Sequence, residues 1–368
     1  MTVELKLFLL AALVQCVYYL LVFFRLNFVR TFSSLPENLP PASIIICAKN
    51  EAQNLLQNLK VVLIQQYKQY EVIVVNDGST DNTIDVLVEY YKRNPNLKII
   101  NIDAKDAKDL AGKKNALRKG IEAASFETIV LTDADCRPAT TQWLAKIVAS
   151  YMDETKIVLA HSPYEKQNGF LNKLIRYENF ITALQYFGFA KLGLPYMGVG
   201  RNLSYRKELF QSFKGFDKAK NIPTGDDDLL VNATATKRNT EVCIDKDTFT
   251  FTKAENSFKD WFNQKRRHLR SGFRYKFHHI VLLFLFAFSN FIFYSFFFLL
   301  LAKMIFIKVV VAVFIGVLIL KLLSVFKVYK KLGAEDLFLF TPLLDFVYVL
   351  YLLFIFFLLL LKPQTSWK

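Results

Sequence analysis

YEVIVVNDGSTDNT, residues 70–83, sets an acidic, glycine-containing turn directly behind a run of apolar, mostly β-branched residues. Continuous apolar character, rather than alternation, marks a strand covered on both faces, so residues 71–75 read as a buried strand. Gly78 permits a tight turn, Ser79 or Asp81 caps the next helix, and residues 82–91 supply that helix. The same unit recurs on either side. Upstream, SIIICAKNEAQNLLQNLKVVLIQQ gives a strand at 43–48 and a helix at 51–65 that places Leu55, Leu59, Val62 and Leu63 on one face. Downstream come a strand at 97–102, a helix at 113–124 and a strand at 128–132 that runs into Asp-Ala-Asp. This βαβα rhythm predicts an α/β domain with a mainly parallel, Rossmann-like sheet covered by helices on both faces.

The rest of the chain is of another character. Of 368 residues 53% are hydrophobic and 15% aromatic, more than one soluble core needs, and the surplus lies at the two ends. Residues 7–24 are uncharged, long enough to cross hydrocarbon and without the small-residue cleavage site of a secretory signal, which predicts an uncleaved anchor within residues 1–30. Three more spans are expected within 280–362, at 280–302, 304–326 and 337–361. Lys308 and Lys321 lie near the ends of the middle one, where long stems carry their charges to the interface. Asp345 falls just after Pro342, and because 343–361 alone can span, it is expected near an interface.

Basic residues orient these spans. Arg25 and Arg30, then Arg266, Arg267, Arg270, Arg274 and Lys276, then Lys327, Lys330 and Lys331 flank the domain side, against little beyond Lys303 on the other. The domain is therefore expected to be cytoplasmic, in a multi-pass protein of a bacterial inner (plasma) membrane. Cys16, Cys47, Cys136 and Cys243 are scattered without redox or metal-ligand spacing, as suits a reducing compartment. The net charge of +15 gathers beside the spans, pointing to membrane lipids as partners and not to nucleic acid.

In an open parallel sheet the ligand crevice lies beyond the carboxyl ends of the strands, and three polar motifs fall there: CAKNE at 47–51, NDGS at 76–79 and TDADC at 132–136. Asp77 is suited to accept hydrogen bonds from a nucleobase or ribose, although Asn-Asp-Gly-Ser alone is also ordinary turn chemistry. Two carboxylates one residue apart repel unless a cation such as Mg²⁺ or Mn²⁺ bridges them to an anion such as a diphosphate. TGDDDLL, 224–230, clusters three more carboxylates at a helix start, where one can serve as a base. QKRRHL, 264–269, supplies guanidinium and amide donors suited to diphosphate oxygens. A solvated cap and a positive-inside anchor would explain these two clusters singly; their joint order along one chain is harder to obtain by accident.

The chain resembles membrane-bound inverting glycosyltransferases of family 2, which carry a GT-A nucleotide-diphospho-sugar domain and include cellulose, chitin and hyaluronan synthases and ceramide glucosyltransferase. The likeness covers about residues 43–270 and rests on CAKNE, NDGSTDNT, GKKNAL, TDADC, TGDDDLL and QKRRH. It implies a GT-A domain at 40–255, an interfacial segment with a Q-x-x-R motif at 256–279, and a nucleotide-diphospho-sugar donor. The donor would meet Ala48, Asn50, Glu51, Asp77, Gly78, Lys113, Asp133, Ala134 and Asp135, with Asp133 and Asp135 holding Mg²⁺ or Mn²⁺. Gly200, Arg201, Asn202, Gln264, Arg266, Arg267 and His268 would line the diphosphate and acceptor side.

Asp226 would be the general base. Gly225 stands where the family has Glu, so the register can slide by one and make Asp227 the base; His268 stands in place of the usual Trp. An imidazole stacks less well on a sugar than an indole does, so the acceptor need not be a long glycan held by an aromatic platform. The basic and interfacial segments place the site at the membrane surface, which favours a lipid-linked acceptor. The helical stripe at 168–193 reads equally as an interfacial helix or a core helix. The expected activity is single-displacement transfer of a sugar to a lipid-linked or membrane-associated acceptor. A processive polysaccharide synthase is the alternative, ahead of a non-catalytic nucleotide-sugar-binding protein or a lipid flippase.

Overall fold

The computed structural model describes residues 2–29, 31, 35–103, 113–213 and 226–361, with side chains for all of these but Asp226, 267–271 and 356–361. The chain begins with α1 (Val3–Val17), which runs on through a π-helical stretch (Tyr18–Phe23) and a 3₁₀ turn (Phe24–Phe28). There follow β1 (Ala42–Ala48), α2 (Ala52–Leu63), β2 (Tyr70–Asp77), α3 (Thr83–Tyr91), β3 (Leu97–Ile102), α4 (Lys114–Ala123), β4 (Thr128–Asp133) and the two-residue β5 (Arg137–Pro138). Next come α5 (Trp143–Ala149), β6 (Ile157–Ala160), α6 (Phe170–Leu192), β7 (Leu203–Arg206), α7 (Lys207–Ser212), α8 (Asp226–Thr234), β8 (Thr240–Cys243) and β9 (Thr250–Phe251). The chain closes with α9 (Phe258–Gly272), α10 (Phe277–Ala302), α11 (Ile307–Lys331) and α12 (Thr341–Leu361).

Among the described residues seven strands form one sheet in the order β3-β2-β1-β4-β7-β6-β8. β7 alone runs against its neighbours β4 and β6; the other pairings are parallel. Period-two alternation divides the apolar strand residues between two cores. Ile44, Ile46, Val72, Val74 and Val130 join Leu55 and Leu59 of α2 and Trp143 of α5 in one. Ile45, Ile73, Val75, Ile129 and Leu131 face the other, which is continuous through Tyr177, Phe180 and Phe187 of α6 to Phe23, Phe286, Val325 and Leu344 of the long apolar helices. α6 is therefore a core helix shared by sheet and bundle, with its buried face set by packing on both sides.

Among the described residues four helices are long and apolar enough to cross a membrane. Glu4 and Lys303, 2.8 Å apart, mark one end of the bundle. At the other, Lys331 Nζ donates to the carbonyls of Asn27 and Val29, each at 2.7 Å, and Arg176 of α6 makes a two-pronged pair with Asp336 at 2.7 and 2.8 Å. The sheet domain docks at that second end, the side that the basic residues mark in the sequence.

The structure corrects the expected places of Lys321 and Asp345. Neither side chain reaches the surface of the bundle: Lys321 Nζ lies 2.9 Å from Asp345 Oδ2, with 3% and 4% of the two side chains exposed. Lys321 also donates to Asn290 Oδ1 at 2.7 Å, while Asn290, Tyr294 and Tyr177 donate to Asp345 at 3.1, 3.0 and 3.2 Å. Read one helix at a time, each charge needs water; on adjacent helices they satisfy each other.

Candidate active site

Strand register brings the three polar motifs to one level. Ala48 pairs with Asn76 and Cys47 with Asp133, so CAKNE, NDGS and DAD leave the sheet side by side at its carboxyl edge. The first two loops are laced together. Asn50, at φ 56°, accepts from the Thr80 amide at 2.8 Å, and its own amide donates to Ser79 Oγ at 2.9 Å. Ser79 thus ties the loops rather than capping a helix. Asp81 caps two helices at once, accepting from the Ala52 amide at 3.2 Å and the Thr83 amide at 3.1 Å. Gly78, at φ 62°, turns the chain where a side chain would be strained.

These turn bonds leave Asp77 outside them. It is 4% exposed, and its Oδ1 is buried without a hydrogen-bond partner. Burial pushes its carboxyl up from the ordinary range, against the pull of Lys49 and Lys119. A buried acceptor with no donor at the mouth of a crevice is what an incoming N–H or O–H would satisfy. Asn76 beside it donates to Asn101 Oδ1 at 2.6 Å.

The Asp-Ala-Asp carboxylates converge. Lys113 Nζ lies 2.7 Å from Asp133 Oδ1. Asp135 is held from both sides, by Thr252 Oγ1 at 3.1 Å on Oδ2 and by the Cys136 thiol at 3.2 Å on Oδ1. Asn58 Nδ2 fixes the carbonyl of Ala134 between them at 3.2 Å. Asp133, Asp135 and Cys136 each offer one atom, all within 4.8 Å of one another. Burial and the neighbouring carboxylates push the Cys136 thiol well above its ordinary range, which keeps it protonated and a donor. That leaves a hard, two-carboxylate oxygen set, which fits Mg²⁺ or Mn²⁺.

Arg201 closes this group. Its guanidinium lies 4.8 Å from the ring centre of Tyr164. Burial works against its charge, but Tyr164, Cys136, Asp135 and Asp133 outweigh that and raise it. Tyr164 in turn donates to Gln264 Oε1 at 3.2 Å, and Gln264 Nε2 donates to Glu255 at 3.3 Å. Contacts therefore run from Arg201 through Tyr164 to the first residue of the Q-x-x-R motif on α9, and Arg201 feels the charge of the carboxylate pair. Lys265 on the same helix is fastened to Glu178 of α6 at 2.5 Å. Arg266 is half-buried, and the side chains of Arg267 and His268 lie outside the described residues.

The acidic cluster at the start of α8 divides. A Cβ built on Gly200 would stand 1.7 Å from Asp227 Oδ2 and 2.3 Å from its Cγ, so the carboxylate of Asp227 lies against bare backbone at the head of the Gly200–Asn202 turn. Asp228 Oδ2 instead accepts from Tyr275 Oη at 3.0 Å. Asp226 opens the helix, and its side chain lies outside the described residues. Asn202 is wholly buried and fully engaged: it donates to the carbonyls of His161 at 2.6 Å and Thr248 at 2.7 Å and accepts from Trp143 Nε1 at 3.1 Å. It builds the loop, with no amide proton left for a ligand. His161 is held neutral, its imidazole pushed down to about 3 by burial and by the charge of Arg201.

Sequence reading missed Tyr164, Thr252 and Tyr275. Each acts through a partner 47 to 117 residues away, and no local pattern marks it.

The model of a family described as "Glycosyl transferase family 2" matches residues 43–213. Poly-beta-1,6-N-acetyl-D-glucosamine synthase of Staphylococcus epidermidis is 32% identical over 127 residues, 33% of this chain and 29% of that protein. An uncharacterized glycosyltransferase of Haemophilus influenzae is 34% identical over 128 residues, 35% of this chain and 38% of that protein. The chain thus spans less than half the length of either relative. Among solved structures, a mannosyltransferase from Pyrobaculum calidifontis in complex with GDP-Man and Mn2+ superposes with a TM-score of 0.60 at 16% identity, covering 95% of this chain and 98% of that one. That last likeness is one of fold.

Proposed function

We propose, from the premise that residues 43–213 are a glycosyl transferase family 2 domain on a GT-A fold, that this protein transfers a sugar from a nucleotide-diphospho-sugar to a lipid-linked acceptor at the cytoplasmic membrane face. The observation that carries the reading is the convergence of Asp133 and Asp135 at the sheet edge, with Arg201 close enough to feel their charge and stacked on Tyr164, which bonds Gln264 on the helix that leads into the membrane bundle. In this division residues 40–255 are the transferase domain, 256–279 its interfacial segment, and 1–30 and 280–362 the membrane part.

Asp77 accepts from the base or ribose of the donor, and Asn50, Ser79 and Asp81 hold its loop in that shape. Asp133 and Asp135 would hold Mg²⁺ or Mn²⁺, which supplies charge neutralisation for a departing diphosphate. Lys113 orients Asp133; Thr252 and Cys136 orient Asp135. Arg201 and Gln264 offer donors to diphosphate oxygens. Asp226 takes the proton of the acceptor hydroxyl as that oxygen attacks the anomeric carbon from the face opposite the leaving group, and this single displacement inverts configuration. Asp227 positions the Gly200 loop and Asp228 is occupied by Tyr275, which leaves Asp226 as the base in the D-x-D-L register. The Gly200 loop and α9 keep water from the donor.

A processive polysaccharide synthase is the second reading, favoured by the synthase names of the Staphylococcus relatives. Incubating membranes that contain the full chain with a panel of nucleotide sugars and a lipid extract tests both. Nucleoside diphosphate release with a glycolipid product supports the first reading, a polymeric product the second. No release with any donor refutes both and leaves a binding protein.

A further inference from the structure

A cleft of about 520 Å³ lies outside the residues used so far, where the start of α6, the start of α9 and the middle of α12 meet. Its walls are Leu174, Phe258, Phe262, Leu350 and Phe354, with Lys259, Asn263 and Tyr351 as its polar lining. The volume falls within the range of small-molecule sites, yet the lining lacks the convergent polar groups that a sugar chain requires. A glycan placed there would leave hydroxyls unpaired. A hydrocarbon chain brings no polar group of its own to satisfy.

We infer that this cleft seats one hydrocarbon chain of an anionic lipid, the acceptor whose head group enters the site beside Gln264; the inference rests on the transferase reading above. Three observations identify the occupant. First, one wall is a helix long and apolar enough to cross a membrane, and Leu350 and Phe354 on it are 50% and 59% exposed, so the cleft is continuous with the face that α12 turns to lipid. Second, the opposite wall belongs to α9, where Phe262 packs on Phe354 at 5.2 Å, and the same helix presents Gln264 to Tyr164 on another face, so a head group leaving the cleft has to pass round one helix to reach Gln264. The cleft is therefore open to the lipid face of α12 and walled by the helix that carries Gln264. Third, the charged group in the lining, Lys259, is positive and so complements an acidic head group.

The test places a benzophenone photo-cross-linker at position 258, where Phe258 is 56% exposed, in the full chain reconstituted into phosphatidylcholine vesicles doped with phosphatidic acid. A second protein carries it at position 323, where Leu323 on α11 is 69% exposed and reports bulk lipid. The expected result is an adduct at 258 enriched in phosphatidic acid over the vesicle composition, with no enrichment at 323. Leu350→Trp, which narrows the mouth of the cleft, lowers that adduct about tenfold, the factor that corresponds to ~1.4 kcal/mol of lost affinity. Thermal stabilisation by nucleotide checks that the variant folds. Adducts at 258 that mirror the vesicle composition overturn the inference, as do a carbohydrate adduct, an adduct to the chain's own tail, and labelling indifferent to Leu350→Trp. Nucleoside diphosphate release is measured in parallel. Enriched labelling without release with any donor refutes the transferase reading but keeps the lipid cleft, whereas release without enriched labelling does the reverse.

Discussion

The carboxylate of Asp227 occupies the space that a side chain at residue 200 would need: a Cβ there would stand 1.7 Å from its Oδ2. Glycine at 200 is required for close approach, since its φ is not among the positive values. Gly200→Ala is expected to rotate Asp227 away and shift the loop that carries Arg201. Displacements of about 1 Å at such sites cost on the order of 10² in rate, so kcat should fall by about that factor. Adding Asp227→Ala to Gly200→Ala should restore part of the loss. Steady-state kinetics on the double-mutant cycle read the coupling; strictly additive losses would mean that the two residues act apart.

Asp226→Asn is expected to lower kcat by about 10² to 10⁴ and leave donor affinity nearly intact, as a positioned general base touches the acceptor and not the nucleotide. Asp227→Asn should be milder. The opposite ranking in kcat would move the base to Asp227.

Asp77 is buried with an unpartnered oxygen and a raised carboxyl. Because its folded-state value lies above the unfolded one, the charged form is disfavoured in the donor-free fold, and its effect on stability is most adverse once pH rises through the raised value. Asp77→Asn should therefore raise the melting temperature of donor-free protein at neutral pH while increasing donor KM more than it lowers kcat. Thermal scans with and without nucleoside diphosphate check both halves. In the unaltered protein, donor affinity should weaken on acidification at a higher pH than an ordinary aspartate would dictate.

Chelation is expected to stop turnover, and Mn²⁺ or Mg²⁺ to restore it. Asp135→Asn should abolish that restoration, because its carboxylate is one of the two oxygen donors held in place at the sheet edge. Undiminished turnover by Asp135→Asn in chelator would remove the metal from the mechanism.

Asp345→Asn leaves Lys321 as an uncompensated charge between apolar helices. Breaking one partner of a buried pair costs about 3 to 5 kcal/mol, whereas replacing both by apolar residues is often neutral. Unfolding in detergent should show a large loss for Asp345→Asn and recovery for Lys321→Met with Asp345→Leu. Equal losses in the two would assign the cluster a role beyond charge balance.

The sequence by itself determined whatever depends on neighbours along the chain. The buried run 71–75 behind Tyr70, the apolar stripe Leu55–Leu59–Val62 and the long uncharged runs each carry their own period or length, so strand, helix and span were legible before any contact was known. The polar motifs at strand ends were legible for the same reason, because a parallel sheet must bring those ends to one edge. Only the tertiary structure decided which polar group meets which. Arg201 stacks on Tyr164, Tyr164 reaches Gln264, Thr252 reaches Asp135, and Lys321 pairs with Asp345, all across separations that local pattern does not encode. The physical reason is that a charge or hydroxyl has no period of its own. Its environment is set by the element that packs against it, so Asp345 reads as an interfacial residue on a lone helix and becomes half of a buried ion pair once α11 lies beside α12.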